Sequence, residues 1–147
     1  MSRLIHYSKE PLTKVISKEQ EADGWFQFTK PKGLWISVEG EDDWAEWCKA
    51  ENFIDTTKQI ANIVELSPEA NVLWIKGTLE FDVFDERYGQ RVEFGRNIDW
   101  PRVATEYQGL IIAPYLWDRR LLNWYYGWDC ASGCIWDAKA INKGVLV

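Results

Sequence analysis

Apolar and polar residues alternate along this chain with two different periods, and the switch between them marks the elements. Residues 34–38 place Leu34, Ile36 and Val38 on one face and Trp35 and Ser37 on the other, as in a strand that gives one face to a core. Residues 4–7 predict a first strand, closed by a turn over 8–11. In residues 44–51 the period changes: Trp44, Trp47, Cys48 and Glu51 recur at helical spacing, behind Asp42 or Asp43 as N-cap. This predicts a helix over 44–53. Residues 59–66 and 71–76 read as strands joined by a turn at 67–70, forming a hairpin or two consecutive strands of one sheet. Residues 79–88 suggest a short helix and 89–97 a polar loop.

The pattern is equally informative further on. Asp99 followed by Pro101 starts a helix over 101–107, with Val103, Ala104 and Tyr107 inward and Gly109 closing it. Residues 110–113 are continuously apolar, as in a strand buried on both faces. Residues 117–124 are a further helix or an irregular excursion carrying Arg119 and Arg120. A buried strand over 132–136 follows, and a turn over 137–141 ends the fold. The stretch 13–23 is polar, a solvated loop or frayed helix, and 24–28 is an edge strand or flap. There is no internal repeat or linker. The expectation is one α+β domain over 1–147: a twisted, mostly antiparallel sheet, whole or split in two, with short helices packed on it.

Composition narrows the function classes. The chain has 147 residues and a formal net charge of -6, which argues against a general binder of nucleic-acid backbones, a task for clustered lysines and arginines. The local basic pairs are Lys30 with Lys32 and Arg119 with Arg120. Ten tryptophans are an excess; most are expected in the core, the remainder where a flat ligand stacks or a protein surface is gripped. No secretory leader opens the chain and no apolar run is long enough to span a membrane, so a cytoplasmic, reducing setting is expected for the three cysteines.

Candidate chemistry concentrates in residues 124–141, where Asp129, Ser132 and Asp137 stand among aromatics, Cys130 and Cys134. Polar groups in so apolar a segment need partners or a task. His6 is the only histidine, and no cysteine or histidine spacing suits a metal. A nucleophilic cysteine paired with His6 is the weaker reading, since a buried cysteine is usually a small hydrophobe. The acidic run 41–43 reads as a solvated cap.

Three stretches together, LIHYS at 4–8, KPKGLWIS at 30–37 with its following W-x-x-W-C, and EYQGLIIAPY through WDCASGCIWDAKAI, resemble a group of small bacterial and phage proteins. Their layout is similar to the mono-ADP-ribosyltransferases of the H-Y-acidic type. The resemblance implies an ADP-ribosyltransferase-like fold with NAD as substrate and a macromolecular target such as a protein. It places His6 where the superfamily's first strand holds the nicotinamide ribose, and Ser37 at the second-strand hydroxyl beside Trp35. NAD would be held by His6, Tyr7, Ser8, Trp35, Ser37 and Trp44. Candidates for catalysis are His6, Ser37, Asp129 and Ser132. Ser132 falls where the superfamily has its glutamate, and Asp129 is the nearest carboxylate. The resemblance thus implies a transferase or a relative that binds NAD without turnover. The alternative is a non-catalytic, acidic, Trp-rich interaction module, for example a phage-encoded inhibitor of a host enzyme. Convergence of His6, Ser37 and Asp129 on one pocket separates the two.

Overall fold

The computed structural model describes residues 2–21, 30–92 and 95–142. Its centre is a six-stranded sheet. Strands β1 (Leu4–Ser8), β2 (Leu34–Val38), β3 (Ile60–Val64), β4 (Val72–Ile75), β7 (Gly109–Ile112) and β8 (Ser132–Ile135) lie in the order β3-β1-β2-β8-β7-β4. All neighbours are antiparallel except β4 and β7, which run parallel. Parallel neighbours need a long crossover. Here it consists of helix α2 (Thr78–Tyr88), a two-stranded ribbon of β5 (Gly89–Val92) and β6 (Gly95–Ile98), and helix α3 (Trp100–Glu106). Helix α1 (Trp44–Ala50) follows β2. The architecture is therefore α+β, a mixed and mostly antiparallel sheet with three short helices.

Local chemistry explains most boundaries. Asp43 caps α1, its carboxylate accepting from the Glu46 amide at 2.9 Å and the Gly40 amide at 3.0 Å. Asp99 caps α3 through the Arg102 amide, with Pro101 in the first turn. Strand β8 is buried throughout, flanked by β2 and β7 in the interior of the sheet. Its centre admits no side chain: a Cβ on Gly133 would stand 2.6 Å from Ile111 Cγ1 and 2.8 Å from the Leu110 carbonyl oxygen. The core is aromatic. Trp100, Trp124, Trp128 and Trp136 are buried, Trp124 stacked on Phe81 at 4.8 Å, while Trp35 and Trp74 pack against it from partly buried positions. Most of the tryptophans described thus serve packing, each large ring removing well over 100 Å² from water.

Several expectations are corrected. Strands β3 and β4 are not a hairpin; they occupy opposite edges of the sheet, because β3 pairs back onto β1 over five positions and β4 onto β7. Residues 89–97 are not a loop but carry the β5–β6 ribbon. Its exposed Gln90 and Arg91 lack an inward apolar face and so conceal it in sequence. Gly109 does not close α3, which ends at Glu106 with Tyr107 as C-cap; Gly109 opens β7. Residues 117–124 hold one 3-10 turn, Trp117–Arg119, and then irregular turns. The polar stretch from residue 13 forms no helix up to residue 21; it is a strap pinned by Lys18 N–H to the Trp136 carbonyl at 2.8 Å and by buried Gln20, which exchanges two hydrogen bonds with the Lys32 backbone. Residues 24–28 lie outside the described residues. Among the described residues no helix is long and apolar enough to cross a membrane.

Candidate functional site

Strands β1 and β2 share a register over Leu4↔Val38 and Ile5↔Ser37, whereas β1 follows β3 along its full length. Beyond Ile5 the first two strands part, and a cavity of about 280 Å³ opens at this gap. Its floor comes from β1 and β2, its far side from residues 127–132 and its rim from the first residue of α1. His6, Tyr7, Trp35, Ser37, Trp44, Asp129 and Ser132 all line it, together with Lys30 and Trp128. The two ends of the chain therefore meet here.

His6 bridges the gap between strands, its Nδ1 lying 2.6 Å from the Trp35 carbonyl oxygen. A carbonyl only accepts, so Nδ1 carries the hydrogen, and in the neutral ring Nε2 keeps a free lone pair. The backbone beneath is fixed by buried Asn62 on β3, whose amide nitrogen donates to the His6 carbonyl at 2.7 Å and whose side-chain oxygen accepts from Leu12 N–H at 2.9 Å. Ser37 is buried and its Oγ accepts from the Trp44 amide at 3.0 Å, tying the strand to the start of α1. Across the sheet its registered partner is Ser132, whose hydroxyl donates to the Cys130 carbonyl at 3.0 Å.

Aromatic and charged groups complete the walls. Trp35 and Trp128 meet edge to face at 4.9 Å, and Lys30 Nζ stands 5.3 Å from the centroid of the Trp35 ring. The Lys30 stem lies over Gly127, where a Cβ would stand 2.9 Å from its Cε. The Trp128 indole nitrogen is buried with no acceptor among the described residues, a deficit worth about 1–3 kcal/mol until an acceptor is supplied. Asp129 is the one carboxylate among the described lining residues. Partial burial raises its pKa above the ordinary carboxylate value, and nearby Glu51 raises it further, against the pull of Lys30 and Arg120. Burial likewise raises Tyr7.

Not every expected residue joins the site. Ser8 lies outside the cavity; its hydroxyl donates to the Glu10 carbonyl at 2.5 Å and accepts from Asn62 at 2.8 Å, so it shapes the turn after β1. Of the two basic pairs named in the sequence, Lys32 pairs with Glu21 and Arg119 chelates Asp82 at 2.7 and 2.8 Å. Arg120 faces a neighbouring cavity, and Lys30 alone reaches this one. The cysteines are buried and burial pushes the Cys130 thiol up to about 12 and Cys134 higher still, so neither supplies a thiolate. Among the described residues no group of three or more His, Cys, Asp or Glu is placed to hold a metal ion. Asn62 and Trp128 escaped the sequence reading; a lone asparagine inside the apolar run of β3 was the available signal for the first.

No family model, no curated protein and no solved structure matches this chain. The case for a function rests on the cavity and its chemistry.

Proposed function

We propose that this cavity takes the nicotinamide–ribose end of NAD and that the chain transfers ADP-ribose to a macromolecular target, on an ADP-ribosyltransferase-like sheet parted between β1 and β2. One observation carries the reading: His6, Trp35, Ser37 and Asp129, drawn from both ends of the chain, line a single aromatic-walled space. Bound NAD supplies a glycosidic bond whose electron pair can leave with nicotinamide. The chain's residues would do the rest. Asp129, when ionised, opposes the positive charge that grows on the ribose, as carboxylates do in glycoside hydrolysis. It then takes the proton that the attacking acceptor gives up. His6 Nε2 accepts from a ribose hydroxyl. The partly buried Trp35 ring, backed edge to face by Trp128, supplies the wall against which the nicotinamide packs. Lys30 meets the pyrophosphate.

A cavity of this size lies just below the range of whole small-molecule sites, which suits one half of a dinucleotide rather than all of it. Turnover is tested by chromatographic measurement of nicotinamide released from NAD with a host lysate as acceptor. The wild type should release nicotinamide and Asp129→Asn should lose at least about 100-fold, the scale of a displaced catalytic charge. Equal release by the two proteins would remove Asp129 from the chemistry. A second reading, a non-catalytic acidic module, is favoured by the exposed aromatics Phe53, Trp117 and Tyr126.

A further inference from the structure

On the other side of Asp129 lies a second cavity of about 240 Å³, and Asp129 lines both. Its walls combine two kinds of group. The rings of Trp47, Trp117 and Tyr126 line it, and so do the carboxylates of Glu46, Glu51 and Asp129. Among the described residues none of these three carboxylates enters an ion pair. Asp42 adds a fourth carboxylate, and Arg120 is the single cation. With all four ionised the lining residues sum to a net charge of -3, and Lys30 acts on Asp129 from the side of the first cavity. Arg120 itself sits over the Trp117 ring, its guanidinium carbon 5.3 Å from the centroid. That face of Trp117 is therefore covered by the chain's own guanidinium, and an incoming side chain meets the remaining ring surface.

The walls are held in place before any ligand arrives. Asp42 adopts a left-handed backbone, with φ at 58°, and its carbonyl accepts from Ala131 N–H at 2.7 Å. Its carboxylate accepts from the Trp117 indole at 3.0 Å. One residue thereby fixes the turn before α1, the entry to β8 and the outer tryptophan. A left-handed aspartate costs of order 1 kcal/mol, and such strain persists where the surroundings enforce it.

We propose that this second cavity docks a basic segment of a partner protein by taking one arginine side chain between its aromatic rings and its unpaired carboxylates. A planar guanidinium both stacks on indole and forks onto carboxylates, which an ammonium does less well. Anionic ligands are repelled by the lining, and the net charge of -6 steers a basic partner toward it. Trp117 and Tyr126 are each 54 % exposed, leaving aromatic surface at the mouth for the backbone on either side of the arginine. Docking here does not require that the first cavity take NAD. If it does, the arginine comes to lie beside the same carboxylate from the opposite side.

The test uses the full chain and short blocked peptides of the form Gly-Gly-X-Gly-Gly, with X as arginine, lysine or citrulline, the last being uncharged and nearly isosteric with arginine. Binding is read from the indole N–H resonances of Trp47 and Trp117. The arginine peptide at millimolar concentration should shift both, the lysine peptide should bind several-fold more weakly, and the citrulline peptide should leave them unmoved. Glu46→Gln with Glu51→Gln, both at exposed positions, should weaken the arginine peptide at least tenfold while the remaining resonances show an intact fold. Equal binding of citrulline, no response to the paired substitution, or free arginine binding as tightly as the peptide would each overturn the proposal. None of these readouts involves NAD, so failure of the nucleotide reading is scored separately.

Discussion

Asp129 is a carboxyl whose ionisation works against the fold. Its pKa is raised from an ordinary value of 3.8, chiefly by burial. A carboxyl whose pKa rises on folding favours the fold while it is neutral, below the unfolded value. That advantage is lost as pH climbs through the higher folded value. At neutral pH the ionised group therefore costs stability, and Asp129→Asn removes the cost. The variant should melt at or above the wild-type temperature at neutral pH, with the gap closing below about pH 4, where the wild-type carboxyl is itself neutral. Calorimetric melting at the two pH values checks this. A variant several degrees less stable at neutral pH would mean that the carboxylate is held by a strong partner instead. His6 shows the opposite economy. Its imidazole is committed through Nδ1 to the Trp35 carbonyl, so one atom positions the ring and the other remains for a ligand.

At the scale of elements, the site depends on how closely three strands approach. Gly133 on β8 faces Ile36 of β2 and Ile111 of β7 in register, and the Ile111 side chain fills the place of its missing Cβ. Gly133→Ala forces backbone or Ile111 to move and should cost about 1–3 kcal/mol, the usual penalty for overpacking a tight core. Denaturant unfolding measures it, and a change under a few tenths of a kcal/mol would contradict the packing described. Short-range patterns made β2, α1, α3 and β7 readable: alternation in Leu34 to Val38, an aspartate cap before Trp44, Asp99 before Pro101, and an unbroken apolar run at Leu110. Pairing was not readable, because nothing in residues 59–76 records that β3 returns to β1 while β4 goes to the far edge. The β5–β6 ribbon stayed hidden because it lies outside the main sheet and its polar residues carry no period.

For the whole molecule, the lining of the first cavity is legible in part, where the sequence carries a resemblance or an odd polar group in apolar surroundings. His6, Ser37, Asp129 and Ser132 stand out in that way, and all four line one cavity. What sequence could not supply was the outer wall of the second cavity. Tyr115 and Tyr126 sit in irregular segments with no period to mark them, and only folding brings them opposite α1. Two adjoining spaces, one walled by aromatics and one lined by acids, share the Asp129 carboxylate.

The central claim is that the parted strands β1 and β2 form a nucleotide site. Calorimetric titration of the full chain with NAD tests it most directly, with His6→Ala alongside. The wild type should bind with a dissociation constant in the millimolar range or tighter. His6→Ala should bind about tenfold or more weakly, equivalent to roughly 1.4 kcal/mol for one positioned hydrogen-bonding group. No heat from the folded wild type at millimolar NAD, or equal affinity in the two proteins, would contradict it.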